Sequence, residues 1–447
     1  MKEQLHNSVW ARLLWVLIML LPIAVLFFLP GVPILSGGVL LWLLLPICLW
    51  FMLWTMRDPA QRPTATAQDF GPRMLLESEQ PAAVRQVMHV KVATEETSGG
   101  QLFRGRLREP AASAFASLTR AIGNRATALL QEDEDLGASI LLIPKLAAST
   151  TAEPQVRPWV HWLLFILTIA TTTWAGAAHQ GVDLLREPTR FVAGLPYSLG
   201  LLAILGVHEM GHYFAARYHG IRVTPPYFIP IPFALGTFGA FIQMRSPTEN
   251  RKALFDVAAA GPLAGLAVAI PALLIGLRSS TIVAGGTGIE TTAIAGASAG
   301  SSVLFAVLAK LSLGNTLEYG HILRLSPLAF AGWLGLLITG LNLLPIGQLD
   351  GGHISHALFG WRLGEKIGNV ALWTLVLLAI FVWPGLMMWA IIVFFIAGTA
   401  VPPLNDLTPL PSNRRWLGYA TFVVLGLILA PLPHSLWTAA GLHCPYL

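Results

Sequence analysis

The chain has 447 residues, of which 55% are hydrophobic and 11% charged, with a mean hydropathy of +0.64. Soluble domains carry about 25% charged residues, so the composition excludes a soluble globular protein and points to a polytopic α-helical membrane protein. The net charge of +5 arises without a basic run interleaved with aromatics, which argues against nucleic acid as a partner, and the two cysteines, Cys48 and Cys444, at opposite ends of the chain, make neither a disulfide framework nor a cysteine-type zinc site.

A membrane-spanning helix needs about 20 apolar residues. By that criterion about nine spans are expected, near 10–29, 35–55, 159–177, 196–218, 254–277, 326–345, 367–383, 386–400 and 416–432. Residues 367–383 and 386–400 are short enough to form one helical hairpin. Residues 1–56 read as two N-terminal transmembrane helices, the first a retained anchor because no small-residue cleavage site follows it. Residues 57–100 read as a linker whose first part is rich in Pro, Gln, Ala and Thr. Residues 101–157 read as a small cytoplasmic α+β domain in the order β-α-β-β. Its elements are a strand at Gln101–Arg108, a helix opened by Pro110 and running to Ile122, and strands at Thr127–Gln131 and Ser139–Pro144. The acidic run Glu132–Asp135 reads as a solvated turn.

The membrane core then occupies 158–400, with a last transmembrane helix and tail in 401–447. Loop arginines and lysines orient it. With the N-terminus cytoplasmic, Arg217, Arg222, Arg245, Arg251, Lys252, Arg362, Lys366, Arg414 and Arg415 fall inside, while Arg186, Arg190, Lys310 and Arg324 fall outside.

Inside the apolar stretch Leu195–Tyr218 stands His208-Glu209-Met210-Gly211-His212. Helical residues four apart share a face, so both histidines can reach one metal ion, with Glu209 beside it to handle a proton. Ionisable side chains in hydrocarbon are costly and mark function. Pro225–Met244 is apolar yet carries Pro225, Pro226, Pro230, Pro232, Gly236 and Gly239, which forbid a continuous helix. It reads as a re-entrant loop or hairpin, with Thr237–Met244 extended beside the metal helix; the alternative is an interfacial loop against headgroups. Gly261 and Gly265 read as close helix packing, and His353 and His356 as interfacial. A third ligand is needed, and Asp350 is the best candidate, just beyond a helix broken by Pro345 and three glycines. The two motif-bearing helices run in the same direction, so their motif ends share one half of the membrane.

HExxH in one span followed by Asn342-x-x-Pro345-x-x-x-x-Asp350-Gly351 in a later one resembles the site-2 protease family of intramembrane zinc metalloproteases, over about 160–400. Phe103-Arg-Gly105, Pro158-Trp159, Thr171-Thr-Thr173, Gly236-Thr-Phe-Gly239-Ala240 and Ala260-Gly-Pro-Leu-Ala264 resemble its cyanobacterial and plastid branch, without PDZ or CBS segments. The resemblance implies one Zn2+ held by His208, His212 and Asp350, Glu209 as catalytic base, and Asn342 in contact with substrate or transition state. It also implies that the segment with Gly236 and Gly239 pairs with an extended substrate. The activity implied is endoproteolysis of membrane-bound protein substrates within a lipid bilayer, in regulated intramembrane proteolysis at a bacterial inner membrane. The competing readings are a silent scaffold, a transporter, or a membrane peptidase with a glutamate third ligand.

Overall fold

The computed structural model describes residues 73–74, 81–95, 100–144, 158–232, 234–284, 302–314, 316, 321–381, 390, 393 and 401–430. The spans expected near 10–29 and 35–55, and most of 386–400, lie outside these residues.

The polar part of the chain folds as a five-stranded antiparallel sheet. Its elements are β1 (Arg73–Met74), α1 (Ala82–Val87), β2 (Met88–Glu95), β3 (Gln101–Leu107), α2 (Ala111–Ile122), β4 (Ala126–Asp133) and β5 (Gly137–Pro144). The strand order is β1-β2-β3-β5-β4. In β4 and β5 the buried residues alternate (Ala128 and Leu130; Ala138, Ile140 and Leu142), as a half-buried strand requires. Val84, Val87, Phe115 and Leu118 from the two helices complete this core. The sheet begins earlier than the sequence pattern foretold, because α1 and β2 fall within the 57–100 stretch expected to be a linker. The reason is a register shift between Val90 and Val92. It puts the buried residues at Met88 and Ala93, an odd separation that hides the two-residue period of a strand.

The apolar part is helical: α3 (Pro158–His179), a 3-10 turn (Pro188–Gly194) and α4 (Leu195–Tyr218), then the hairpin β6 (Tyr227–Pro230) and β7 (Thr237–Phe241). After it come α5 (Arg251–Arg278), β8 (Thr281–Ala284), α6 (Val303–Leu313), β9 (His321–Arg324), α7 (Pro327–Asn342), α8 (Asp350–Phe359), α9 (Trp361–Phe381) and α10 (Ser412–Leu429). Among the described residues, three helical segments are long and apolar enough to cross a membrane: Pro158–His179, Pro188–Tyr218 and Arg251–Arg278. The span expected at 326–345 is a 16-residue helix, rising about 24 Å, because the chain leaves helical geometry after Asn342.

Helices α4, α5 and α7 form the centre. Ile204, Leu266, Ala269, Leu273 and Leu336 share one core, and small residues let the backbones approach. A side chain at Gly335 would meet Ile204, and one at Gly332 would meet Leu273. Trp159, Trp162 and Ile166 on α3 are exposed and apolar, as a lipid-facing surface requires. The proline-rich segment expected to avoid helix does form a strand hairpin, seated on α3 and α4. Thr171 Oγ1 donates to the Gly236 carbonyl (2.7 Å) and Tyr197 OH to that of Leu235 (2.9 Å). Gly236 has φ +79°, and a Cβ there would sit 2.5 Å from Thr172 Cα, so only glycine fits.

Candidate metal centre

Helix α4 carries His208, Glu209 and His212, all more than nine-tenths buried in an otherwise apolar helix. One helical turn separates the histidines and brings their Nε2 atoms to 3.1 Å. Asp350 Oδ2 lies 3.4 Å from each of them. One donor atom from each of these three residues falls within 4.8 Å of the others.

Asp350 reaches this position through a tight reversal. After α7 ends, Gly347 adopts φ +49° and α8 starts at Asp350 itself. A Cβ on Gly351 would collide with the Leu343 carbonyl, and one on Gly352 with that of Gly347. The two glycines therefore let the first turn of α8 lie directly on the chain that precedes it. A carboxylate in that first turn also suits the positive end of the helix.

Helix α5 forms the opposite wall and orients the rings. His212 Nδ1 lies 2.7 Å from the Val257 carbonyl, an acceptor, so Nδ1 carries the proton and Nε2 presents a lone pair. A Cβ on Gly261 would overlap the His212 imidazole, and one on Gly265 would lie 3.0 Å from His208 Nδ1. The sequence pattern identified these glycines as helix packing; what they pack against is the pair of imidazoles. Glu209 stands outside the three-donor group, and the backbone N–H of Ile242, just beyond β7, is directed at its carboxylate. That link between HExxH and the hairpin had no sequence signal, because a backbone donor leaves none.

The remaining predicted positions are less closely joined. Asn342 ends α7 half-buried, and its side chain makes no hydrogen bond among the described residues. Gly239 adopts φ +113° with open space around its α-carbon, and its N–H is held by Thr237 Oγ1 (3.0 Å). Neither glycine of the hairpin touches the three donors. His356, expected at an interface, is buried, stacked on Trp361 at 4.3 Å; an aromatic neighbour five residues on outweighs its polarity.

Two imidazole nitrogens and one carboxylate oxygen make a three-ligand set, the composition of the protein ligands of a catalytic zinc site. The set also suits a cation: the His212 Nε2 atom faces another imidazole nitrogen and an anionic oxygen. The cluster can hold one metal ion.

Residues 196–383, which include all four of these residues, match the model of peptidase family M50. The chain is 32% identical to the probable zinc metalloprotease EGY2, chloroplastic, of Oryza sativa subsp. indica, over 76% of its own length and 62% of the relative's. It is 31% identical to the EGY2 protein of Arabidopsis thaliana over 76% and 62%, and 28% identical to the Arabidopsis EGY1 protein over 78% and 70%. The chain thus spans under two thirds of the EGY2 relatives. No solved structure matches it. The helices that hold His208, Glu209, His212 and Asp350 thus lie within the stretch of this chain that is similar to peptidase family M50.

Proposed function

We propose that this chain is an intramembrane zinc endopeptidase that cuts membrane-bound protein substrates, with one Zn2+ per chain held by His208, His212 and Asp350. The observation that carries this reading is the convergence of three donors, two buried imidazoles from α4 and the part-buried Asp350 carboxylate from α8, with a buried carboxylate beside them that is not a donor. Relatives named zinc metalloproteases support zinc over other divalent ions.

Zinc held by His208, His212 and Asp350 would lower the pKa of a bound water toward about 7 and would polarise the scissile carbonyl. Glu209 takes the proton of the attacking water and passes it to the leaving amine. The apolar walls around the pair exclude bulk water and strengthen each electrostatic contact. A substrate helix has its carbonyls locked in hydrogen bonds, so it must unwind before attack. β7, with Gly239 open to one side, offers an extended backbone on which the unwound segment can pair; the Ile242 N–H couples that strand to Glu209. Asn342, whose side chain makes no hydrogen bond among the described residues, is the residue we assign to substrate contact. We place the hairpin as re-entrant and the metal-bearing helix ends on the cytoplasmic side, following the loop charges, in a cell membrane where cleavage releases a regulator. The named relatives are chloroplastic, and imaging a tagged chain decides between the two membranes.

Glu209→Gln tests the reading. The variant is expected to keep its zinc and to lose cleavage of a co-expressed model membrane substrate; cleavage at the unmodified rate would reject Glu209 as the base.

A further inference from the structure

We propose that Asp406 is a positioning residue for the metal centre. Its carboxylate ties the start of α5, which seats His212, to the α8–α9 joint, which fixes Asp350, and the sheet domain holds it there. The proposal rests on the metal-site reading above.

Asp406 is 2% exposed and lies in the connection before α10. Its Oδ1 accepts Arg251 Nε–H at 2.9 Å, and its Oδ2 accepts the Trp361 backbone N–H at 3.1 Å. Arg251 is the first residue of α5 and Trp361 the first of α9. The Arg251 guanidinium also lies against Gly360, the single residue between α8 and α9: a Cβ there would be 2.6 Å from Nη2. One buried carboxylate therefore joins two helix starts. From the first, Val257, whose carbonyl orients His212, is about two turns along. From the second, the ten-residue α8 leads back to Asp350. The first helix orients the donor His212 through that carbonyl and the second carries the donor Asp350, and metal ligation tolerates only about 0.2 Å of error in ligand distance.

The carboxylate is itself held from the sheet domain. Leu130 of the edge strand β4 donates to the Leu404 carbonyl (2.7 Å) and accepts from the Asp406 N–H (2.9 Å). On the other side, Leu404 N–H reaches the Thr248 carbonyl and Asn405 N–H that of Glu249, both at 2.9 Å. Leu404 and Leu407 pack on the sheet-domain core, and Arg362 at the start of α9 pairs with Glu134 at 2.7 Å. The 404–406 segment thus bridges β4 of the sheet domain and the run into α5 through backbone hydrogen bonds on both sides. A plain anchor would need only those backbone bonds. The side-chain carboxylate adds the link between α5 and α9.

The test uses the full chain in detergent, stripped of metal and titrated with Co2+, whose visible absorption reports ligand geometry. Asp406→Ala is expected to weaken Co2+ binding about tenfold, the lower end for partners that orient ligands, and to shift the absorption band. Asp406→Asn, which keeps an acceptor for Trp361, and Arg251→Lys, which keeps the charge without the Nε donor, are expected to fall between. Glu134→Ala, at an exposed pair, should leave the band in place. Native Co2+ affinity and spectrum in Asp406→Ala would overturn the proposal, whatever its melting temperature. If that variant does not fold, native spectra in both Asp406→Asn and Arg251→Lys overturn it. Asp350→Ala runs in parallel. If it too binds Co2+ normally, the metal-site reading falls and takes this one with it; if it alone loses Co2+, only the positioning role falls.

Discussion

The sheet domain and the helical core solve opposite problems. In the sheet domain water is the solvent, so apolar side chains collect on one face and the one buried charge among the described residues of the sheet, Asp133 at the end of β4, is paired with Arg104. In the core the surroundings are apolar, so burial of a Leu or Ala says little, and the informative residues are the buried polar ones: His208, Glu209, His212 and Asp406. Stability in the first region comes from transferring apolar area out of water. In the second it comes from close backbone approach and from pairing every costly polar group.

Phe103→Ala should produce the largest loss of stability. Phe103 is fully buried in the sheet core, and a large-to-small change there costs about 3–5 kcal/mol. Hydrogen exchange should show the β3 and β5 amides losing protection first. Equal loss across α4 and α5 would mean the two regions unfold as one unit.

Gly261→Ala comes next. The added methyl meets the His212 ring, so about 1–3 kcal/mol of overpacking strain is expected, together with weaker metal binding by equilibrium dialysis. Gly426→Ala, on α10 with nothing near its α-carbon, is the matched control and should stabilise by up to about 1 kcal/mol. Equal behaviour of the two glycines would remove Gly261 from the site wall.

The smallest effect is a pH dependence of the sheet. The hydrogen bond from Arg104 is the chief influence holding the Asp133 carboxyl below its usual range, so the carboxylate form is favoured in the folded state. Its contribution is full above the unfolded Asp value of about 3.9 and is lost as pH falls through the lower folded value. Melting curves between neutral pH and pH 3 should show a steeper acid loss for the native chain than for Asp133→Asn. Parallel curves would show that the pair contributes nothing.

Much of the site was legible because its signals are local or chemically rare. An i, i+4 histidine pair with an adjacent glutamate in an apolar helix points to a candidate metal site before any fold is known, and Asp350 followed by two glycines marks a turn near the end of α7. In the sheet domain, β3, α2, β4 and β5 announce themselves by alternation and by Pro110. What failed to show has equally physical reasons. The bulge in β2 breaks the two-residue period, the helices of the core are apolar on most faces and carry no moment to read, and the Val257 carbonyl and Ile242 N–H are backbone groups without sequence identity. Asp406 is one aspartate in a connection, far along the chain from Arg251 and indistinguishable from a solvated turn residue.

Composition and short-range spacing, then, determined that this chain enters a membrane as helices and that one of them offers two imidazoles and a carboxylate on neighbouring faces, because transfer energies and helical geometry act over a few residues. Only the tertiary structure decided that Asp350 closes on those imidazoles, that glycines of α5 make space for them, and that a carboxylate beyond α9 ties the two sides together. Such meetings depend on which surfaces pack, and packing is decided by shape complementarity across the whole chain rather than by any one segment.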